Sequence, residues 1–184
     1  MSLEAFYSRA GHLVRRLNQI AVAIFLEETG GIGLTTVQWA ALQMIQEIPG
    51  IDQASLSSMI AFDKTTIVKV LDRLAEKGLI TRTRSQTDRR SNLLDVTPRG
   101  RSALNKVEPL MDRIEQRILA PLSAGDQRKF LEMLTQLVHV NNAYSRAPLD
   151  REVWSDLLRK QGTQVQSPGK ARRAPRKQKR GGSE

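Results

Sequence analysis

Residues 62–80 constrain the fold of this chain more than any other stretch. Asp63 is a residue type that caps helix N-termini, and Gly78 suits the left-handed position just after a helix. Between them, apolar residues recur at spacings of three and four: Ile67, Val70, Leu71 and Leu74. The pattern predicts one amphipathic helix over residues 64–77, with both ends marked.

The opposite face of this predicted helix carries short hydroxyls and long cations close to its N-terminal end. Such residues contact base edges and phosphates when a helix enters a major groove. The candidate DNA-contacting residues of the helix are therefore Lys64, Thr65, Thr66, Lys69 and Arg73.

The segments on either side support a DNA-reading role. Residues 53–60 predict a short helix, joined to the first by the brief turn of residues 61–63, and two helices so closely joined form a helix-turn-helix unit. Downstream, residues 79–83 and 93–96 predict two strands, with the polar stretch 84–92 between them. This arrangement predicts a β-hairpin wing with a cationic tip.

The wing carries a specific resemblance to a known family. The run Asp88-Arg89-Arg90, followed by Thr97-Pro98-Arg99-Gly100, resembles the Asp-x-Arg wing signature and the next helix start of MarR-type winged-helix regulators. The resemblance covers roughly residues 5–145. It implies a mainly α fold, in which a winged helix-turn-helix domain is joined to a helical dimerisation domain built from the N- and C-terminal helices.

We expect the chain to divide into four parts, the first three from the resemblance and the last from its own composition, which lacks an apolar period. Residues 1–33 form an N-terminal dimerisation helix, and residues 34–100 form the winged helix-turn-helix DNA-binding domain. Residues 101–160 form a C-terminal helical dimerisation region, and residues 161–184 form a disordered basic tail.

In the wing, we expect Arg90 to enter the minor groove, where narrow A·T tracts concentrate negative potential. Asp88 would orient its guanidinium by a charge-assisted hydrogen bond. Arg84 and Arg89 complete the candidate contacts of the wing. The alternative is that Asp88 and Arg90 are ordinary loop charges.

Near the N-terminus, apolar residues from Leu3 to Ile24 predict one long helix that packs lengthwise against other helices. His12 and Arg16 lie on one face beside this seam, and Trp39 lies near the start of a second helix predicted over residues 37–48. An arginine can pair with a carboxylate, a histidine can bond a ring substituent, and a tryptophan can stack on the ring.

These three residues are therefore candidate ligand-binding residues for a small aromatic acid. The resemblance adds that family members bind such acids in the crevice between the first two helices and the winged unit. The run from His12 to Arg16 is similar to that of members that control breakdown of aromatic or hydroxylated, nicotinate-type pyridine carboxylates. The alternative interpretations stay open. Under them, His12 is a partly buried histidine with its hydrogen bonds satisfied, Arg16 is an ion-paired surface residue, and Trp39 only fills the core.

After the wing, Thr97 caps a helix that reaches Ile118 and should bend at Pro109, and Ser123 caps a helix that continues to Tyr144. A short helix is predicted within residues 148–160. These helices present more apolar surface than a small winged unit can cover. We therefore expect a homodimer whose two DNA-binding domains bind the two half-sites of a pseudo-palindromic operator.

The formal charge of +10 indicates a polyanionic partner, and residues 161–184 alone carry +6 of it. A tail of this kind is typical of a nonspecific phosphate-binding arm, and a solvated tail that aids solubility is the alternative. There is no cysteine for a thiol switch or a disulfide, and two histidines make a zinc site improbable. Neither a bilayer-length apolar run nor a signal peptide is recognisable, so we expect a soluble, cytoplasmic, nucleoid-associated protein.

The sequence shows no nucleophile-base pair, phosphate loop or metal-ligand cluster, so we expect neither an enzyme nor a cofactor. The leading hypothesis is a homodimeric transcription regulator, a repressor released by a small aromatic acid. The rival is an architectural or nucleoid-type DNA-binding protein without ligand control. A single-stranded RNA binder is disfavoured because aromatic residues, at 4%, leave few stacking platforms.

Overall fold

A computed structural model describes residues 2–85, 91–149 and 152 of the chain. Its elements run in the order α1 Leu3–Tyr7, α2 Ala10–Glu28, α3 Thr36–Glu47, β1 Ile51–Asp52, α4 Gln53–Met59, α5 Lys64–Glu76, β2 Ile80–Arg84, β3 Asn92–Val96, α6 Pro98–Leu119, α7 Ala124–Val140 and a 3-10 turn at Asn142–Tyr144. The mainly α, winged helix-turn-helix fold predicted from the sequence is confirmed.

The small sheet is antiparallel, with strand order β1-β3-β2. Strands β2 and β3 form the predicted hairpin, in which Ile80 is opposite Val96 and Arg84 is opposite Asn92. Strand β1 was not apparent from the sequence because its two residues are too few to show a periodicity. It places Ile51 opposite Leu94 and so attaches the start of α4 to the hairpin.

The core of the winged unit lies between α3, α5 and the sheet. Leu42, Ile45, Ile67, Leu71 and Leu94 are completely buried there. Each such side chain contributes roughly 1.5–3 kcal/mol when it is removed from water. The buried residues of α5 come from the stripe that the sequence predicted, and they fix which face of α5 points outward.

Helix α5 ends at Glu76, followed by Lys77 as the C-cap, and Gly78 adopts the left-handed conformation with φ of 67°. The backbone N–H of Leu79 donates to the carbonyl of Leu74 at 2.9 Å, and that of Gly78 donates to Ala75 at 2.8 Å. This pair of bonds is a Schellman motif, and it satisfies carbonyls that the helix itself leaves unpaired. The predicted role of Gly78 is confirmed.

The prediction of one uninterrupted N-terminal helix is wrong. Helix α1 ends at Tyr7, Ser8 is its C-cap, and α2 begins at Ala10. The Ser8 hydroxyl donates to the carbonyl of Glu4 at 3.0 Å, and a serine that bonds its own backbone in this way competes with helix continuation. Apolar spacing continues across the break, so periodicity alone did not reveal it.

Helices α2 and α6 are joined by ion pairs at the C-terminal end of α2. Glu28, whose side chain is only 7% exposed, forms an ion pair with Arg113 at 3.1 Å and accepts a hydrogen bond from Arg117 at 2.5 Å. Glu27 also accepts from Arg117, at 3.0 Å. The bonds from Arg117 raise its pKa, with the hydrogen bond to Glu27 as the larger cause.

Helix α6 continues through Pro109, and α7 ends at Val140 rather than continuing to Tyr144 as predicted. The Asn141 side chain donates to the carbonyl of Leu137 at 2.8 Å and occupies the C-cap. The helix predicted within residues 148–160 lies largely outside the described residues.

Candidate nucleic-acid interface

The outward face of α5 presents the polar residues that the sequence predicted. Thr65, Lys69 and Arg73 are exposed, and Thr66 is half-buried. They are held outward because Ile67 on the same helix is completely buried. Lys64 is the first residue of α5, but its side chain lies outside the described part of the structure.

Asp63 fixes the N-terminal end of this helix. Its carboxylate accepts from the backbone N–H of Thr66 at 2.9 Å and from the Thr66 hydroxyl at 2.7 Å. These two bonds, the hydroxyl bond first, lower the pKa of Asp63. The first turn of α5 is therefore held in shape at the end that would meet DNA.

Val68 is an outward residue that the sequence reasoning missed. It is 40% exposed and lies between Thr65 and Lys69 on the outward face. An apolar side chain at such a position can contact the C5-methyl group of thymine in the major groove. The signal was present in the sequence, because Val68 lies outside the stripe that contains Ile67 and Leu71.

The turn between α4 and α5 sets the angle of the helix-turn-helix unit. The Ser57 hydroxyl donates to the carbonyl of Phe62 at 2.6 Å, and the Phe62 N–H donates back to the carbonyl of Ser57 at 3.3 Å. Ala61 completes the turn with φ of 53°, a conformation that non-glycine residues adopt at some cost.

The wing is attached to α5 at its base. Asp72 of α5 and Arg82 of β2 form an ion pair at 2.7 Å. At the far end of the hairpin, Arg84 is exposed, and the backbone N–H of Ser85 donates to the carbonyl of Ser91 at 3.0 Å. The other predicted wing contacts, Asp88, Arg89 and Arg90, lie outside the described residues.

Two of the three candidate ligand residues lie near the N-terminal end of α2. His12 is half-buried against two aromatic rings, with centroid distances of 5.0 Å to Phe6 and 5.2 Å to Tyr7. Arg16 is exposed, and its guanidinium donates to the Gln19 side chain at 3.5 Å. The two flanking rings come from α1, and the helix break at Ser8 brings them to His12.

The third candidate, Trp39, lies elsewhere. It is half-buried against Phe25, with a centroid distance of 6.0 Å. Phe25 follows His12 on α2 by about 20 Å along the helix axis, at 1.5 Å per residue. The structure therefore does not bring Trp39 to His12 within one chain.

The described residues contain no group of acidic, histidine or cysteine side chains arranged to hold a metal ion. Within the same part of the chain, every helix is too short or too polar to cross a membrane.

A helix-turn-helix followed by a hairpin on a three-stranded sheet defines the winged helix-turn-helix class of DNA-binding proteins. Residues 34–91 match the model of the MarR family. A transcriptional regulatory protein for the hcr operon of Thauera aromatica is 36% identical over 134 residues, which are 71% of this chain and 81% of that protein. The chain belongs to the MarR family, whose members found here are transcriptional regulators and not enzymes.

Two solved structures are similar over most of their length. The transcriptional repressor CouR, solved bound to a 23-mer DNA duplex, is 27% identical with a TM-score of 0.67, over 75% of this chain and 98% of that chain. BpsR of Bordetella bronchiseptica, whose DNA binding is regulated by 6-hydroxynicotinic acid, is 27% identical with a TM-score of 0.64, over 69% of this chain and 96% of that chain.

Proposed function

We propose that this MarR-type regulator is a repressor that binds a pseudo-palindromic operator as a homodimer and is released by a small aromatic acid. The observation that carries the proposal is the outward face of α5, where one hydroxyl, two cations and Val68 stand exposed on a helix capped at its N-terminal end. Such a face suits the major groove, where each base pair presents a distinct pattern of donors, acceptors and methyl groups.

A homodimer is supported by apolar side chains that the single chain leaves exposed. They lie on α1, the N-terminal half of α2, and α7 and the turn after it: Leu3, Phe6, Tyr7, Leu13, Val14, Ile20, Leu131, Met133, Leu137, Val138, Val140 and Tyr144. An exposed apolar surface of this extent marks an interaction face. A two-fold dimer through these helices would carry two copies of α5, which suits an operator with two half-sites.

In the proposed complex, α5 reads the major groove and Arg90 of the wing enters the minor groove with Asp88 aligning it. The Asp72–Arg82 ion pair supports this arrangement because it joins strand β2 of the wing to α5, the reading helix of this proposal. A basic tail would add affinity through phosphate contacts without reading sequence.

The proposed effector is a hydroxylated aromatic or pyridine carboxylate. The support is the pair His12 and Arg16, one turn apart on α2, together with the similarity to BpsR. Phe6 and Tyr7 add apolar walls beside His12. Because Trp39 is far from His12 within one chain, we propose that it joins the site from the second chain of the dimer.

The test begins with operator selection from a random duplex pool, followed by salt titrations of binding to the selected site and to unrelated DNA. A regulator should keep a specificity ratio of about 10³ or more at physiological salt. Addition of 6-hydroxynicotinic acid should then release the operator. A steep salt dependence with little preference among sequences would favour the architectural alternative, which the charge of the C-terminal segment motivates.

A further inference from the structure

A surface cleft of about 400 Å³ lies beyond the C-terminal end of α2, away from His12 and Arg16. Three segments form it: the α2–α3 loop, the residues Lys77 and Leu79 that follow α5, and the first three turns of α6. Ile32, Leu79 and Ala103 supply apolar surface, and Lys77, Arg99 and Lys106 supply three cations.

No carboxylate is among the described residues that line this cleft. Arg99 lies in the first turn of α6, which has no acidic residue. The N-terminal end of a helix carries partial positive charge and ordinarily favours acids, so an arginine there is placed against the helix dipole. The charged side chains among the described residues that line the cleft are therefore all positive, which favours a bound anion.

Lys77 connects the cleft to the reading helix. Its ammonium donates to the carbonyl of Gly33 at 2.5 Å and to the buried side chain of Gln38 at 3.0 Å. An ammonium has three N–H donors, so a third can serve a ligand. Lys77 is also the C-cap residue of α5. A ligand bound here would touch the end of the helix that reads DNA.

Arg99 and Lys106 are seven positions apart and so lie on the same face of α6. Within the described part of the chain, neither side chain has an ion-pair or hydrogen-bond partner. A guanidinium and an ammonium together suit the oxygens of a phosphate or a carboxylate.

We propose that this cleft binds a small multivalent oxyanion, such as a phosphate, a diphosphate or a small polycarboxylate. The anion would join Lys77 to Arg99 and Lys106, and so link the α2–α3 loop, the end of α5 and the start of α6. This site is separate from the proposed aromatic-acid site at the other end of α2. It does not depend on the proposed effector or on repression.

The test is isothermal titration calorimetry of the full chain with inorganic diphosphate at constant ionic strength. The double variant Arg99→Gln/Lys106→Gln should bind diphosphate at least about tenfold more weakly, since each lost charge-assisted hydrogen bond is worth about a factor of ten or more. The matched control is Arg128→Gln/Lys129→Gln, which removes one arginine and one lysine from exposed positions of α7. It should bind as the unaltered chain does. All three proteins keep the C-terminal cations, so diphosphate bound there cancels from the comparison.

A second measurement locates the bound anion. The amide resonances of Gly31 and Gly33, which line the cleft, should shift on addition of diphosphate in the unaltered chain and not in the Arg99/Lys106 variant. Equal diphosphate affinity in the two double variants would overturn the proposal. A second outcome would also overturn it: the Arg99/Lys106 variant binds diphosphate as the unaltered chain does but binds duplex DNA more weakly. The cleft would then contact the DNA backbone instead.

Discussion

Gly100 packs so closely against Leu79 that a Cβ built on the glycine would lie 2.2 Å from the carbonyl oxygen of Leu79. Beside this contact, the Thr97 hydroxyl donates to the carbonyl of Gly78 at 2.7 Å. The backbone N–H of Gly100 in turn donates to the Thr97 oxygen at 3.0 Å. The start of α6 is thereby fixed on the end of α5, so the two helices share one close joint.

Gly100→Ala should therefore destabilise the fold. The clash involves a backbone oxygen that cannot rotate away, so we expect a loss of about 2–3 kcal/mol in the free energy of unfolding, at the upper end of overpacking costs. Gly125→Ala is the control, because a Cβ there meets nothing within 4 Å and the glycine lies in the first turn of α7. It should be neutral or stabilise by up to about 1 kcal/mol. Urea denaturation of both variants measures the difference, and equal midpoints would refute the close contact.

Asp63 should make stability depend on pH. Its pKa is lowered in the folded chain, first by the Thr66 hydroxyl and then by the Thr66 backbone N–H. The charged cap therefore stabilises the fold above the unfolded pKa of about 4, and this contribution is lost as the pH falls through the lower folded pKa. Asp63→Asn keeps an acceptor that does not titrate. The stability difference between the two proteins should be present at pH 7 and disappear as the pH falls through the lowered pKa of Asp63. A difference constant with pH would show that the cap charge contributes nothing.

The sequence predicted most of the winged unit well because all of its elements except the short strand β1 carry their own local signal. Helix α5 has a capping aspartate, a regular stripe and Gly78, and the structure places its ends within a residue of the prediction. The capping box of Thr35 and Gln38 similarly marks the start of α3. These features depend on neighbouring residues, so no tertiary contact was needed to recognise them.

Other features depend on contacts between distant parts of the chain and could not be predicted. The break at Ser8 is an exception, because it is local, but the apolar spacing continues across it and so did not reveal it. The position of Trp39 against Phe25 is a contact between two helices. His12 and Arg16 could be grouped because they lie one turn apart on the same helix. Helical spacing could not place Trp39 relative to them, because Trp39 lies on another helix.

In the wing, Arg90→Ala should weaken operator binding by about 1–3 kcal/mol, because it removes the cation expected in the minor groove. Asp88→Ala should have a smaller effect, since Asp88 only aligns the guanidinium. Fluorescence anisotropy with the selected operator measures both, with thermal unfolding to verify that folding is intact. If the affinity of Arg90→Ala is unchanged, the wing has no part in operator binding.

In the C-terminal segment, deletion of residues 165–184 removes seven cations, which we assign to nonspecific phosphate contact. Affinity for all DNA should fall and the slope of log affinity against log salt should become shallower, because fewer counterions are released. The preference for operator over unrelated DNA should survive. Loss of that preference would mean that this segment reads sequence.

At the effector site, Arg16→Ala should dimerise and bind the operator as the unaltered protein does, yet need about 10–100-fold more 6-hydroxynicotinic acid for release, the equivalent of one charge-assisted hydrogen bond. An acid releases DNA only as far as it prefers the conformation that cannot bind the operator, so weaker binding of the acid weakens release. Arg15→Ala, an exposed neighbour on α2, is the control and should not alter the release curve. Superimposable curves for Arg16→Ala and the unaltered protein would exclude Arg16 as the carboxylate partner.

Mixed dimers decide whether Trp39 joins Arg16 from the second chain. Trp39→Leu should also need more acid, and leucine keeps apolar contact with Phe25. If each site takes Arg16 from one chain and Trp39 from the other, a heterodimer of Arg16→Ala with Trp39→Leu has one site with both residues intact and one with neither. Differently tagged chains, co-expressed and purified as the heterodimer, should then recover sensitive acid binding at half the stoichiometry of the unaltered dimer. If both residues came from the same chain, each site would carry one substitution and no sensitive binding would return.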